Sequence, residues 1–140
     1  CLVAVRAGST LALHEALLTF DTHGHTMMGV SPERAAEALA SLGARIVGGN
    51  CGNGPHEIGP VMTQMAQRRP AGVHLIAQSN AGMPRLSGAD FHYDGTPDVM
   101  AEYALQMREL GVGVIGACCG STPAHVAAMR AALDLAPTGS

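Results

Sequence analysis

The 140-residue chain contains no lysine; all eight of its basic residues are arginine. That absence removes Schiff-base catalysis and the phosphate-loop lysine together. The G-x-S-x-G turn of serine hydrolases is missing too. No apolar run approaches the ~18 residues that span a bilayer, and the chain does not open on a charged-then-apolar leader. Basic residues cluster only at Arg68-Arg69, and a formal charge of -3 gives no electrostatic reason to expect nucleic acid or a membrane surface as partner. A small molecule is the expected ligand and the cytoplasm the expected compartment. Hydrophobic residues make up 47% of the chain, enough to bury a sizeable core.

What is present is a fourteen-residue pattern that occurs twice. Leu42-Gly43-Ala44-Arg45-Ile46-Val47-Gly48-Gly49-Asn50-Cys51-Gly52-Asn53-Gly54-Pro55 reads against Leu110-Gly111-Val112-Gly113-Val114-Ile115-Gly116-Ala117-Cys118-Cys119-Gly120-Ser121-Thr122-Pro123. In each copy a leucine and glycine close a helix, an apolar run makes a strand, and a G-x-x-C-G turn leaves the strand's carboxyl end. Equivalent units place Cys51 and Cys119 at one height, with Cys118 beside them. Three thiols at one end of a parallel sheet form a soft, anionic ligand set of the kind zinc prefers. Adjacent cysteines make a strained disulfide, so reduced, metal-binding thiols fit better than bridges.

Four strand-then-helix units follow one another. The first strand is expected over Leu11–Phe20, followed by a polar loop and a helix from Ser31-Pro32 to Gly43, with Ser31 as cap. The second strand covers Arg45–Gly49, with a helix from near Ile58 to Arg69. The third covers Val73–Gln78, and a long loop from Ser79 to Gly95 leads to a helix from Thr96-Pro97 to Leu110. The fourth covers Val112–Gly116, and its helix starts near Thr122-Pro123 and fades before Pro137. Apolar strands alternating with helices signal a parallel sheet covered by helices, either doubly wound or part of an eight-stranded barrel. Cysteines ending the second and fourth strands favour the barrel, whose site forms at the carboxyl ends of its strands. Four units are half of it, with two open edges. The chain opens at Cys1, and Leu2–Ala7 read like the tail of a helix, so a fragment is expected. Residues 1–136 form the half-barrel and 137–140 a tail.

Other motifs carry less. Gly111-Val-Gly113-Val-Ile-Gly116 matches the dinucleotide fingerprint, but its glycines lie before and inside a strand instead of between strand and helix. His23 and His25 form an H-x-H that offers a nitrogen metal site of the hydrolase type; the alternative is a polar loop with two solvated histidines, since no acidic or histidine partner recurs at other strand ends. His14, His56, His74, His92 and His125 lack ligand spacing and are expected at the surface or as satisfied core positions. The eight methionines read as adaptable packing, and Cys1 as an ordinary thiol.

At these residues the chain resembles the homocysteine S-methyltransferase family, which includes the betaine-dependent enzymes and the homocysteine domain of cobalamin-dependent methionine synthase. The matching stretches are Phe20-Asp21-Thr22-His23-Gly24 with Thr26-Met27-Met28-Gly29, Gly48-Gly49-Asn50-Cys51-Gly52 with Gly54-Pro55, Gln78-Ser79-Asn80-Ala81-Gly82-Met83-Pro84, and Gly116-Ala117-Cys118-Cys119-Gly120-Ser121-Thr122-Pro123-Ala124-His125. The resemblance implies a (β/α)8 TIM barrel of about twice this length, of which this chain is the C-terminal half. It implies Zn2+ on Cys51, Cys118 and Cys119, and transfer of a methyl group to the sulfur of homocysteine, giving methionine. The donor is then a small molecule or a corrinoid. Ala117 departs from the family's usual glycine. The family's first half-barrel, with the glutamate that helps hold the amino acid, has no counterpart here and is expected elsewhere in the full-length protein.

The residues suit that chemistry on their own terms. A free thiol has a pKa near 8.5, about, and only its thiolate is nucleophilic. Zinc with three cysteinates leaves a fourth position where a substrate thiol binds and loses its proton. No side-chain base is required, and none stands out. Asn50 and Asn80, both at strand ends, are candidates to hold the substrate by hydrogen bonds. The rival readings are a metal hydrolase built on His23 and His25, and a catalytically inert zinc-binding half-barrel.

Overall fold

A computed structural model describes residues 15–21, 23–88 and 90–135. The expected beginning of the first strand at Leu11, the thiol of Cys1, His14 and the tail at 137–140 lie outside the described residues. The elements run β1 (Glu15–Leu18), α1 (Pro32–Ser41), β2 (Ile46–Cys51), α2 (Pro55–Gln67), β3 (His74–Ser79), β4 (Pro84–Ser87), β5 (Asp90–Tyr93), α3 (Pro97–Glu109), β6 (Val114–Ala117) and α4 (Pro123–Leu135). None of the described helices is long and apolar enough to cross a membrane.

Each helix begins on a proline, whose fixed φ suits the first turn and whose missing N–H leaves no orphan donor there. Ser31 caps α1 by accepting from the Arg34 N–H, and Thr96 caps α3 by accepting from the Val99 N–H. Both helices run out through the repeat's opening pair, Leu42-Gly43 and Leu110-Gly111, with the glycines left-handed at φ 99° and 78°. Helix α2 starts at Pro55, three residues before the expected Ile58, because Gly54 at φ 120° lets the chain enter the helix directly from the cysteine turn. The segment expected as a loop from Ser79 to Gly95 contains an antiparallel hairpin, β4 paired with β5.

Strands β1, β2, β3 and β6 form one parallel sheet in chain order. Because parallel crossovers are right-handed and the order never reverses, the three crossover helices α1, α2 and α3 fall on the same face, and α4 packs there too. One buried cluster bears this out: it joins Val47, Leu75 and Ala77 of the strands to Ala36, Met62, Met100 and Met129 from the four helices. Alternation sends Gly48, Asn50, Ile76, Gln78 and Gly116 to the opposite face. This one-sided arrangement is consistent with part of a barrel. Five methionines (Met62, Met65, Met100, Met107 and Met129) fill the helix-side core, while Met27, Met28 and Met83 are exposed. Among the described strands, β1 and β6 each have one unpaired edge.

Candidate metal centre

The sheet register sets Cys51 opposite Ser79 and Ser79 opposite Ala117, so three strand ends are level. Strand β6 stops at Ala117, which frees Cys118 and Cys119 from strand alternation and lets both thiols turn to one side. Cys51, the last residue of β2, has φ 56°, a left-handed conformation that costs a non-glycine residue roughly 1–2 kcal/mol. The outcome is a group of three sulfurs: Cys51 and Cys118 are 2.9 Å apart, Cys118 and Cys119 3.9 Å, and all three fall within 4.8 Å of one another. All are free thiols, the first two half-buried and Cys119 exposed.

The end of β3 clamps the second cysteine turn with three consecutive residues. Cys118 N–H donates to the Ser79 carbonyl at 2.7 Å, Cys119 N–H to Asn80 Oδ1 at 3.2 Å, and Ala81 N–H to the Cys119 carbonyl at 2.9 Å. Asn80 also donates from Nδ2 to the Gly52 carbonyl at 2.8 Å. One buried amide therefore ties the Cys51 turn to the Cys119 turn. Asn50 donates from Nδ2 to Cys51 Sγ at 3.2 Å, and its Oδ1 accepts from the Thr19 hydroxyl at 3.4 Å. At Gly120, φ is 77° and an added Cβ would overlap the ring atoms of Tyr93, which comes from the hairpin. The hairpin thus packs directly on the cysteine turn.

Burial pushes the Cys51 thiol up to about 12, and the neighbouring Cys118 sulfur adds to the rise. Burial opposes ionisation of Cys118 as well, but hydrogen bonds from the Cys51 thiol and the Cys119 backbone outweigh it and bring Cys118 below its ordinary value. Three crowded thiols cannot all ionise against one another's charge; a divalent cation among them reverses that balance. The donor set is all sulfur and closely spaced, which fits Zn2+.

His23 and His25 are not joined by a third ligand: among the described residues the cysteines are the sole group of three ligand-type side chains brought together. His25 Nδ1 lies 3.2 Å from the His23 carbonyl, in an exposed loop. His125 is a satisfied core position. Its Nε2 donates to the Gly95 carbonyl at 2.8 Å, so Nδ1 carries the lone pair that accepts the Thr122 N–H at 3.0 Å. Gly95 N–H in turn donates to Ala81 O, the residue that grips Cys119. Tyr103 supports the same strand end from behind, its hydroxyl accepting from the Ser79 N–H at 3.3 Å, and burial pushes its phenol well up. Sequence reasoning assigned no role to Tyr103 or Ser79. His125 lies three residues after Thr122, the spacing from which a side chain reaches back to an N–H at the head of a helix, so a local signal existed for that part of its role.

A family model described as homocysteine S-methyltransferase matches residues 3–133. The chain is 33% identical over 129 residues to a methionine synthase of Mycobacterium tuberculosis (strain ATCC 25618 / H37Rv), covering 91% of this chain and 11% of that protein. It is 32% identical over 117 residues to a methionine synthase of Mycobacterium leprae (strain TN), covering 83% of this chain and 10% of that one. The chain therefore spans about a tenth of the length of the curated relatives it matches. With a matching family model over nearly its whole length and the thiols of both glycine turns gathered at one end of its sheet, the chain belongs to the homocysteine S-methyltransferase family.

Proposed function

We propose that this chain is the metal-holding half of a zinc-dependent methyltransferase that methylates the thiol of homocysteine to give methionine. In this reading residues 1–136 are the C-terminal half of a (β/α)8 barrel, 137–140 a tail, and the other half comes from elsewhere in the full-length protein. The observation that carries it is the convergence of Cys51, Cys118 and Cys119 within 4.8 Å from two separate turns. Zinc held by these three side chains would supply a Lewis acid with one open position, favouring the ionised form of an incoming thiol.

The protein's own part is to keep the three sulfurs convergent. The Ser79–Ala81 clamp fixes Cys118 and Cys119 against β3, and Asn80 ties that turn to Gly52. Asn50 and Asn80 each have one amide hydrogen left over from the bonds described and are the proposed substrate contacts beside the thiols. The methyl donor in this reading is a small molecule or a corrinoid, met at the open end of the sheet. The cytoplasm remains the proposed compartment.

The test is made in the full-length protein. Zinc should be present at close to one per chain with sulfur-dominated coordination near 2.3 Å, about, by X-ray absorption. Replacing Cys51, Cys118 or Cys119 with alanine should abolish zinc retention and methionine formation, whereas His23→Ala and His25→Ala should keep the zinc. A nitrogen and oxygen shell would restore the histidine reading. Zinc retained without methyl transfer from any donor would leave an inert zinc-binding half-barrel.

A further inference from the structure

Asn50 and Cys51 are neighbours in β2, and in a regular strand their side chains would point to opposite faces. They touch because Cys51 has left strand geometry: at φ 56° its sulfur swings to the side of the sheet on which Asn50 lies, 3.2 Å from Nδ2. An unfavourable backbone conformation at a non-glycine residue persists only where its surroundings enforce it. Here it delivers a thiol both to its two partner sulfurs and to an amide donor. The amide is oriented independently, because the Thr19 hydroxyl donates to Oδ1 and leaves the NH2 group to face the sulfur. Among the described residues no other side-chain amide donates to a sulfur of the group.

Resting on the three-thiolate metal reading above, we propose that Asn50 is a positioning residue that tunes the metal-binding sulfur of Cys51. Its N–H draws charge from the thiolate, and Thr19 holds it in the orientation that does so. A neutral donor suits this place. It stabilises an anionic sulfur without adding a cation that would compete with the metal, and hydrogen bonds to ligand sulfurs set how electron-rich a metal site is. A more electron-rich centre makes any bound thiolate a stronger nucleophile, so the Thr19–Asn50–Cys51 line sets the reactivity of the site from one side.

The test replaces zinc by cobalt(II) in the full-length protein and reads two properties other than turnover. One is the energy of the sulfur-to-cobalt charge-transfer bands; the other is the rate at which iodoacetamide alkylates the metal-bound thiolates. Asn50→Leu, of similar size but without a donor, should move the bands to lower energy and raise alkylation by roughly tenfold to a hundredfold, the scale of one hydrogen bond to a charged group. Thr19→Val, which removes only the orienting hydroxyl, should act in the same direction and less strongly. Asn53→Ala, an exposed amide of the same loop bonded to Glu57, should change neither. Parental bands and alkylation rate in Asn50→Leu overturn the proposal. If that variant fails to hold cobalt, Thr19→Val decides alone, and an unmoved Thr19→Val overturns it. A parent protein without charge-transfer bands refutes the three-thiolate centre itself, and the role of Asn50 falls with it.

Discussion

Asn80→Ala is the substitution through which fold and site can be tested together. The side chain is 8% exposed and makes two bonds, donating to Gly52 O at 2.8 Å and accepting from Cys119 N at 3.2 Å. Alanine removes both and leaves a carbonyl and an N–H without their partner. Each lost hydrogen bond costs about 0.5–1.5 kcal/mol net, and each buried group left unpaired raises that towards 1–3 kcal/mol. Since Cys119 is exposed and water can reach its side of the turn, a total of about 2–4 kcal/mol is expected. The two cysteine turns then lose their direct side-chain tie, which should lower zinc affinity by roughly 10–100-fold, the range seen when partners of metal ligands are removed. Zinc competition with a chelator measures the affinity, and hydrogen exchange of the Cys119 amide measures the local loosening. Asn80→Asp separates the two bonds: its carboxylate still accepts from Cys119 but faces the Gly52 carbonyl without a hydrogen to give, so Cys119 should stay protected while zinc affinity falls. Parental affinity and parental Cys119 exchange in Asn80→Ala would refute the bridging role.

Gly120→Ala should destabilise the cysteine turn by about 1–2 kcal/mol from its left-handed backbone alone, and more because the new methyl group displaces Tyr93; a melting temperature equal to the parent's would contradict this. His125→Gln should keep a side-chain acceptor for the Thr122 N–H but release Gly95, so it should unfold between the parent and His125→Ala in denaturant, the latter losing about 1 kcal/mol more. Zinc affinity should fall as pH falls, because the thiols must lose protons to bind. With Cys51 raised from 9.0 to about 12, its proton is still present in the metal-free protein at neutral pH and must be released on binding. Calorimetry in buffers of different ionisation enthalpy reads that release, and a heat independent of buffer would count against the cysteine site.

The sequence by itself determined the four β/α units, the cap at Ser31, the helix ends at Leu42-Gly43 and Leu110-Gly111, and the meeting of Cys51, Cys118 and Cys119. All of these rest on information within a few residues: periodicity, a capping side chain, a glycine where φ is positive, and a turn repeated in two copies. The hairpin of β4 and β5 escaped because each strand is four residues long, too short for alternation to be read across Gly- and Pro-containing sequence. The early start of α2 escaped because it depends on the φ of Gly54, which the sequence permits without requiring. Only the tertiary structure decided that Asn80 joins residues 28 and 39 positions away, and that Cys51 leaves strand geometry so that its sulfur meets Asn50. Those contacts follow from strand register, which sets Cys51, Ser79 and Ala117 level. Register is fixed by burying one face of the whole sheet against four helices, a condition that no local stretch of residues contains.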